Sequence, residues 1–273
     1  MTRVIGVVSG KGGVGKTTTV ANLGSILASH YKKDVVIVDT NISTSHLGLY
    51  LGMYYCPVTL NQVLKDEVKI HEAMYDYHIP GLRVIPASLS YNDLKGVDIA
   101  KLKHVLKDLF GKTDIIILDS APGLGRDAMA TLQASDEVIF VNTPFVPSTM
   151  DIIKCHQVAN DIGTKALGVV LNMVGKEKYE LSPQEIEQLV ELPVISMIPM
   201  DKNILKSLAL KVPVVLYNPN SPSGKEYKKL AGKLLGIEYK PQGFFTSFLK
   251  LFGIGREKQK REMITKDEIK RMI

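Results

Sequence analysis

The sequence predicts an α/β fold, a doubly wound, mostly parallel sheet with helices on both faces. Three observations predict it. Short apolar runs rich in β-branched residues recur at 3–8, 34–38, 82–85, 114–118, 137–141, 166–171 and 193–198. Most are continuously apolar, the pattern of parallel strands covered on both faces. Between them lie stretches with helical spacing of apolar residues, at 17–29, 99–110, 150–160, 183–190 and 221–235. Strands alternating with helices build crossover units and therefore a parallel sheet. The 273 residues suffice for one large domain with a well-buried core.

The first run, 3–8, leads straight into Gly10-Lys11-Gly12-Gly13-Val14-Gly15-Lys16-Thr17, and a helix opens near Lys16. This is GxxxxGK[ST] in the context of strand, loop and helix that the motif requires. Glycines let backbone N–H groups turn inward as an anion nest, and the helix N-terminus adds free amides and its dipole. Lys16 is expected on the β- and γ-phosphates of ATP or ADP, with Thr17 on Mg²⁺ and Thr18 beside them.

The runs at 34–38 and 114–118 each end in an acid, Asp39 and Asp119. Ligands of open α/β sheets bind at such carboxyl ends of strands. A strand-end Asp also serves as a helix cap, so the position alone leaves both roles open. Asn172 closes the run at 166–171 and Pro199-Met200-Asp201 follows the run at 193–198. Asn at a strand end is equally a turn residue.

Cys56 and Cys155 stand far apart in no CxxC or Cys/His cluster. They read as reduced thiols in an intracellular protein, without a zinc or iron–sulfur site. The amino terminus lacks a signal-peptide pattern, and no apolar run reaches the roughly 20 residues that span a bilayer. The formal net charge is +6. Residues 241–273 hold eight Lys/Arg against four Asp/Glu, so +4 falls there and +2 on the rest. A nearly neutral body argues against a broad nucleic-acid face.

Pro241-Gln242-Gly243 marks a composition break, dividing a domain at 1–240 from a tail at 241–273. Wound as a helix, Phe244, Phe245, Phe248, Leu249 and Phe252 share one side. Lys250, Arg256, Lys258, Lys260 and Arg261 lie on or just after it. An aromatic face with flanking cations suits an interfacial helix on an anionic membrane; packing onto the domain or a partner is the competing reading. A single short anchor binds weakly, and two on a dimer gain avidity. Residues 257–273 alternate charge with Met and Ile and have no assigned role.

With these residues in view, KGGVGKTT resembles the deviant P-loop of the MinD/ParA ATPases, SIMIBI-type P-loop NTPases whose signature is the extra lysine, here Lys11. The resemblance implies an ATP-dependent homodimer in which Lys11 reaches the partner's phosphates, as a cation supplied in trans. A purely local attraction for nucleotide is the alternative role. Ile115–Gly123 resembles the family's Walker B and switch II segment, with Asp119 toward Mg²⁺ and Gly123 sensing the γ-phosphate. The segment 36–41 resembles switch I. Asp39 matches the first of its two acids, in the Mg²⁺ shell, but Asn41 stands where the second is expected. Asn orients water but carries no charge and accepts no proton, so slow turnover is expected. Asn172 and Pro199-Met200-Asp201 resemble the adenine-reading elements.

The resemblance runs over residues 2–237 and fits the MinD branch best, since iron–sulfur carrier relatives want paired cysteines. It implies a cytoplasmic protein peripheral to the inner face of the cell membrane, which recruits or positions partner proteins in cell-division or cell-pole organisation. The alternatives are a ParA-like partitioning ATPase acting on DNA or cargo, and an ATP-bound scaffold with little hydrolysis. A kinase is the weaker reading, because no second-substrate site is legible.

Overall fold

The computed structural model describes residues 1–175 and 177–237. The tail expected at 241–273, with Phe244, Phe245, Phe248, Leu249 and Phe252, lies outside the described residues. Among those described, no helix is long and apolar enough to cross a membrane.

Among the described residues, eight strands form one sheet. They are β1 (Arg3–Val8), β2 (Val35–Asp39), β3 (Tyr75–Asp76), β4 (Leu82–Ile85), β5 (Ile115–Asp119), β6 (Glu137–Asn142), β7 (Lys165–Val174) and β8 (Val194–Pro199). Their spatial order is β3-β4-β2-β5-β1-β6-β7-β8. All pairings are parallel except β3 with β4 at the edge. Each expected strand is present within a few residues, and only the two-residue β3 carried no sequence signal.

The period of two divides the core. On β2, Val35 and Ile37 join one apolar cluster while Val36 and Val38 join another. On β5, Ile115 and Ile117 part from Ile116 and Leu118 in the same way. Alternate side chains therefore feed two layers, which is why these runs are apolar throughout. The first layer is closed by α1 (Lys16–Ser29), whose neighbours include α2 (Leu47–Tyr50). The second layer holds α3 (Leu60–Leu64) and α4 (Leu102–Leu106).

The helix expected at 99–110 is not continuous. Two 3₁₀ turns, Ile99–Lys101 and Lys107–Leu109, flank α4. The buried residues are Ile99, Leu102, Leu106 and Leu109, three apart at both ends. That spacing suits the tighter 3₁₀ winding, so the apolar stripe survives the break.

Helix α5 (Arg126–Ala134) had no counterpart in the sequence reading, and α6 (Val146–Asp161) begins earlier than expected, with Pro in its first turn. Then come α7 (Pro183–Val190), α8 (Lys202–Ala209), α9 (Val214–Tyr217) and α10 (Pro222–Leu234). The last packs Tyr227, Leu230 and Ala231 into the α1 layer.

Candidate functional site

β1 ends at Val8 and α1 starts at Lys16, so the intervening loop lies at the carboxyl end of the central strands. Gly15 precedes the helix with φ 96°, and no side chain caps the first turn. The turn also holds no acid. Its amides are thus left for an anion. A Cβ on Gly15 would lie 2.1 Å from Asn172 Nδ2, and one on Gly10 2.2 Å from Asp151 Cβ. Both positions need glycine because β7 and α6 press on the loop.

Ser9 is the pivot of this loop. Its hydroxyl donates to the Lys11 carbonyl at 2.6 Å and accepts from Lys16 Nζ at 2.7 Å. Its carbonyl accepts the Gly123 N–H at 2.9 Å, which docks the segment after β5 onto the phosphate loop. Lys16 is buried, and burial lowers its pKa while Asp119 works against the fall.

Asp39 and Asp119 are register partners at the ends of adjacent strands. Both are buried. Burial and then the neighbouring Asp39 push Asp119 up to about 8, while the Thr17 hydroxyl and Lys16 pull it down. Among the described residues, the buried Asp119 Oδ1 has no hydrogen-bond partner. Asp39 differs. Its Oδ2 accepts from Ser45 Oγ at 2.7 Å and from the His46 and Leu47 amides at 3.1 Å, and its Oδ1 accepts from the Asn41 amide at 3.2 Å. Burial still raises its carboxyl, against those bonds. Asn41 is tied within its own turn, donating to the Thr44 carbonyl at 2.7 Å and accepting from the Thr44 hydroxyl at 3.0 Å.

Lys11 sits on the rim with its side chain 45% exposed, and its Nζ is 3.6 Å from Asp151 Oδ2 of α6. It is thus an accessible cation held by one carboxylate of its own chain.

Residues 1–235 match the ParA family, described as NUBPL iron-transfer P-loop NTPase. The chain belongs to the ParA family of P-loop NTPases. It is 35% identical over 260 residues to an uncharacterized ATP-binding protein of Methanocaldococcus jannaschii, covering 93% of this chain and 98% of that one. It is 32% identical over 244 residues to the septum site-determining protein MinD of Synechocystis, covering 86% and 90%. The septum site-determining protein MinD of Pyrococcus horikoshii, solved with Mg-ADP, superposes with TM-score 0.83 at 32% identity, covering 88% of this chain and all of that one.

The chain is therefore a P-loop ATPase of the MinD/ParA group, a class that works on ATP with Mg²⁺. The donors present suit such a ligand. An orphaned buried Asp119 oxygen, the Thr17 hydroxyl nearby and the uncapped α1 amides would hold a hydrated cation and phosphates. Asp39 sits beside them, its Oδ2 taken up by three loop donors and its Oδ1 accepting one. The family description mentions iron transfer. Here Cys155 is buried on α6 and Cys56 lies ahead of α3, on separate elements.

The residues expected at the base divide. Asn172 is buried against the loop, its Nδ2 donating to the Val14 carbonyl at 2.8 Å and its Oδ1 without a hydrogen-bond partner among the described residues. Pro199 and Met200 line an open cleft with Val174, Gly175 and Lys225, which Asn172 does not line. The Asp201 carboxylate is consumed structurally. It caps α8 through the Asn203 amide and holds α10 through the Ser223 amide and hydroxyl. Sequence reasoning missed Ser9, Ser45 and Asp151. Only Ser9, adjoining the motif, carried a local hint.

Proposed function

We propose that this chain is a MinD-like dimerisation switch that binds and hydrolyses ATP, works on an anionic membrane at the inner face of the cell and recruits or positions partner proteins. Cell-division or cell-pole organisation is the process this reading favours. The observation that carries it is Lys11, a second lysine inside the phosphate loop, accessible on the rim and, among the described residues, paired with Asp151. Exchanging Asp151 for the partner's phosphates replaces one anion by a stronger one, so the pairing is favourable when ATP is bound. Bound Mg²⁺ supplies charge neutralisation at the phosphates. Lys16, Thr17 and the α1 amides grip the same group from their own chain, and Asp119 fixes the cation's side of the site. Residues 241–273 act as one weak anchor per chain, and a dimer doubles it.

Asn41 favours a second reading, a scaffold that holds ATP with little turnover. The side chain is engaged with Thr44 and offers no carboxylate to a water.

Sedimentation with vesicles containing anionic lipid tests the membrane switch. Pelleting of the full chain with ATP, and about tenfold less with ADP, is the expected outcome. Equal pelleting with both nucleotides removes the switch, and none with either removes the membrane.

A further inference from the structure

Asp127 stands in the first turn of α5, nearly buried. Its Oδ2 accepts the Ser43 hydroxyl at 2.8 Å and the Ser43 amide at 3.3 Å. One turn further along α5, Thr131 Oγ1 lies 2.8 Å from Thr40 Oγ1. Two hydroxyl residues of switch I are thus fastened to one face of α5. Among the described residues, Asp127 is the only polar side chain outside 39–47 that holds the stretch 41–44.

The other end of this connection reaches the nucleotide loop. Gly123, with φ 75°, is bonded to the Ser9 carbonyl and lies only four residues before Asp127. Ser43 is two residues from Asn41. A short relay therefore runs from the loop at Ser9, through Gly123 and the start of α5, to the turn that carries Asn41. We infer that Asp127 is a positioning residue coupling the two switch segments, so that movement of Gly123 re-aims Asn41. This rests on the reading above that nucleotide acts through the loop after β5. A free Asp in this turn would serve α5 only through its dipole. Spending a nearly buried carboxylate on Ser43 binds α5 to a loop whose other anchors are the buried Ile42 and its own Asn41–Thr44 turn.

Amide exchange of the full-length protein, with and without ATP and Mg²⁺, reads both segments separately. In the wild type, nucleotide slows exchange in 40–47 and in 120–127. In Asp127→Ala, 120–127 still responds and 40–47 does not. Single-turnover hydrolysis falls about tenfold while nucleotide Kd moves less than about threefold. Ser43→Ala gives the same pattern, Asp127→Asn restores part of the response, and the Ser43→Ala/Asp127→Ala double variant is no worse than Asp127→Ala alone. Full protection of 40–47 in both single variants, or additive losses in the double, overturns the coupling. If the wild type binds ATP and neither segment responds, the nucleotide-switch reading fails as well.

Discussion

The two ends of the same strands treat charge in opposite ways. At the amino ends, Arg3 of β1 pairs with Glu137 of β6, Lys165 of β7 reaches the same carboxylate, and Arg83 of β4 pairs with Asp34. Burial alone would raise the Glu137 carboxyl, but the hydrogen bonds from Arg3 and Lys165 outweigh it and hold it below its usual range. At the carboxyl ends, two acids lie side by side in the interior and Asp119 rises to about 8. Opposite charges at one end fasten strands together. Like charges at the other leave an electrostatic demand that a bound proton meets in the empty site and that a bound cation, with Lys16, would meet in its place. The difference separates the stabilising end of the sheet from its working end.

Removing the demand should have the largest effect. Asp119→Asn is expected to lower Mg²⁺-dependent ATP turnover about a hundredfold or more, measured by phosphate release. The same variant changes pH behaviour. Between roughly pH 4, the unfolded value, and pH 8, the native chain binds a proton at Asp119 that the unfolded chain has lost. Stability of the nucleotide-free protein therefore falls as pH rises through that window. Melting curves from pH 5 to 9 should show the fall in the wild type and a flatter profile in the variant.

A smaller effect is expected where the working end lacks a charge. Asn41→Asp should raise the single-turnover hydrolysis rate at least about tenfold, because a carboxylate there accepts a proton. An unchanged rate would mean that the Thr44 turn holds residue 41 away from the chemistry. Smallest is the paired end. Arg3→Gln should cost about 1 kcal/mol or less in denaturant unfolding and leave turnover unchanged. The guanidinium is partly exposed and its pairing is screened, although its bond to the Leu234 carbonyl is also lost.

How much of this was legible in the sequence follows from the range of each interaction. The strands, the phosphate loop and the acids at strand ends are patterns within a few residues, and they were found where they stand. Helix α5 was hidden because residues after Asp119 read as the continuation of a motif. The partners of the site residues were not legible. Nothing near Lys11 announces Asp151, and Ser43 meets Asp127 from 84 positions away. Asp39 and Asp201 looked like ligands by position, yet the fold gives each of them several protein donors. Such saturation depends on how loops return to a strand end, which no local pattern encodes.

In the proposed switch, Lys11 makes the phosphate loop half of an ATP-dependent dimer interface. Size-exclusion chromatography with light scattering, run with ATP, ADP and no nucleotide, tests it directly on wild type and Lys11→Ala. Dimer only with ATP, and monomer throughout for Lys11→Ala with ATP still bound, is the predicted result. A wild-type monomer with ATP, or a Lys11→Ala dimer as abundant as the wild type, would contradict it.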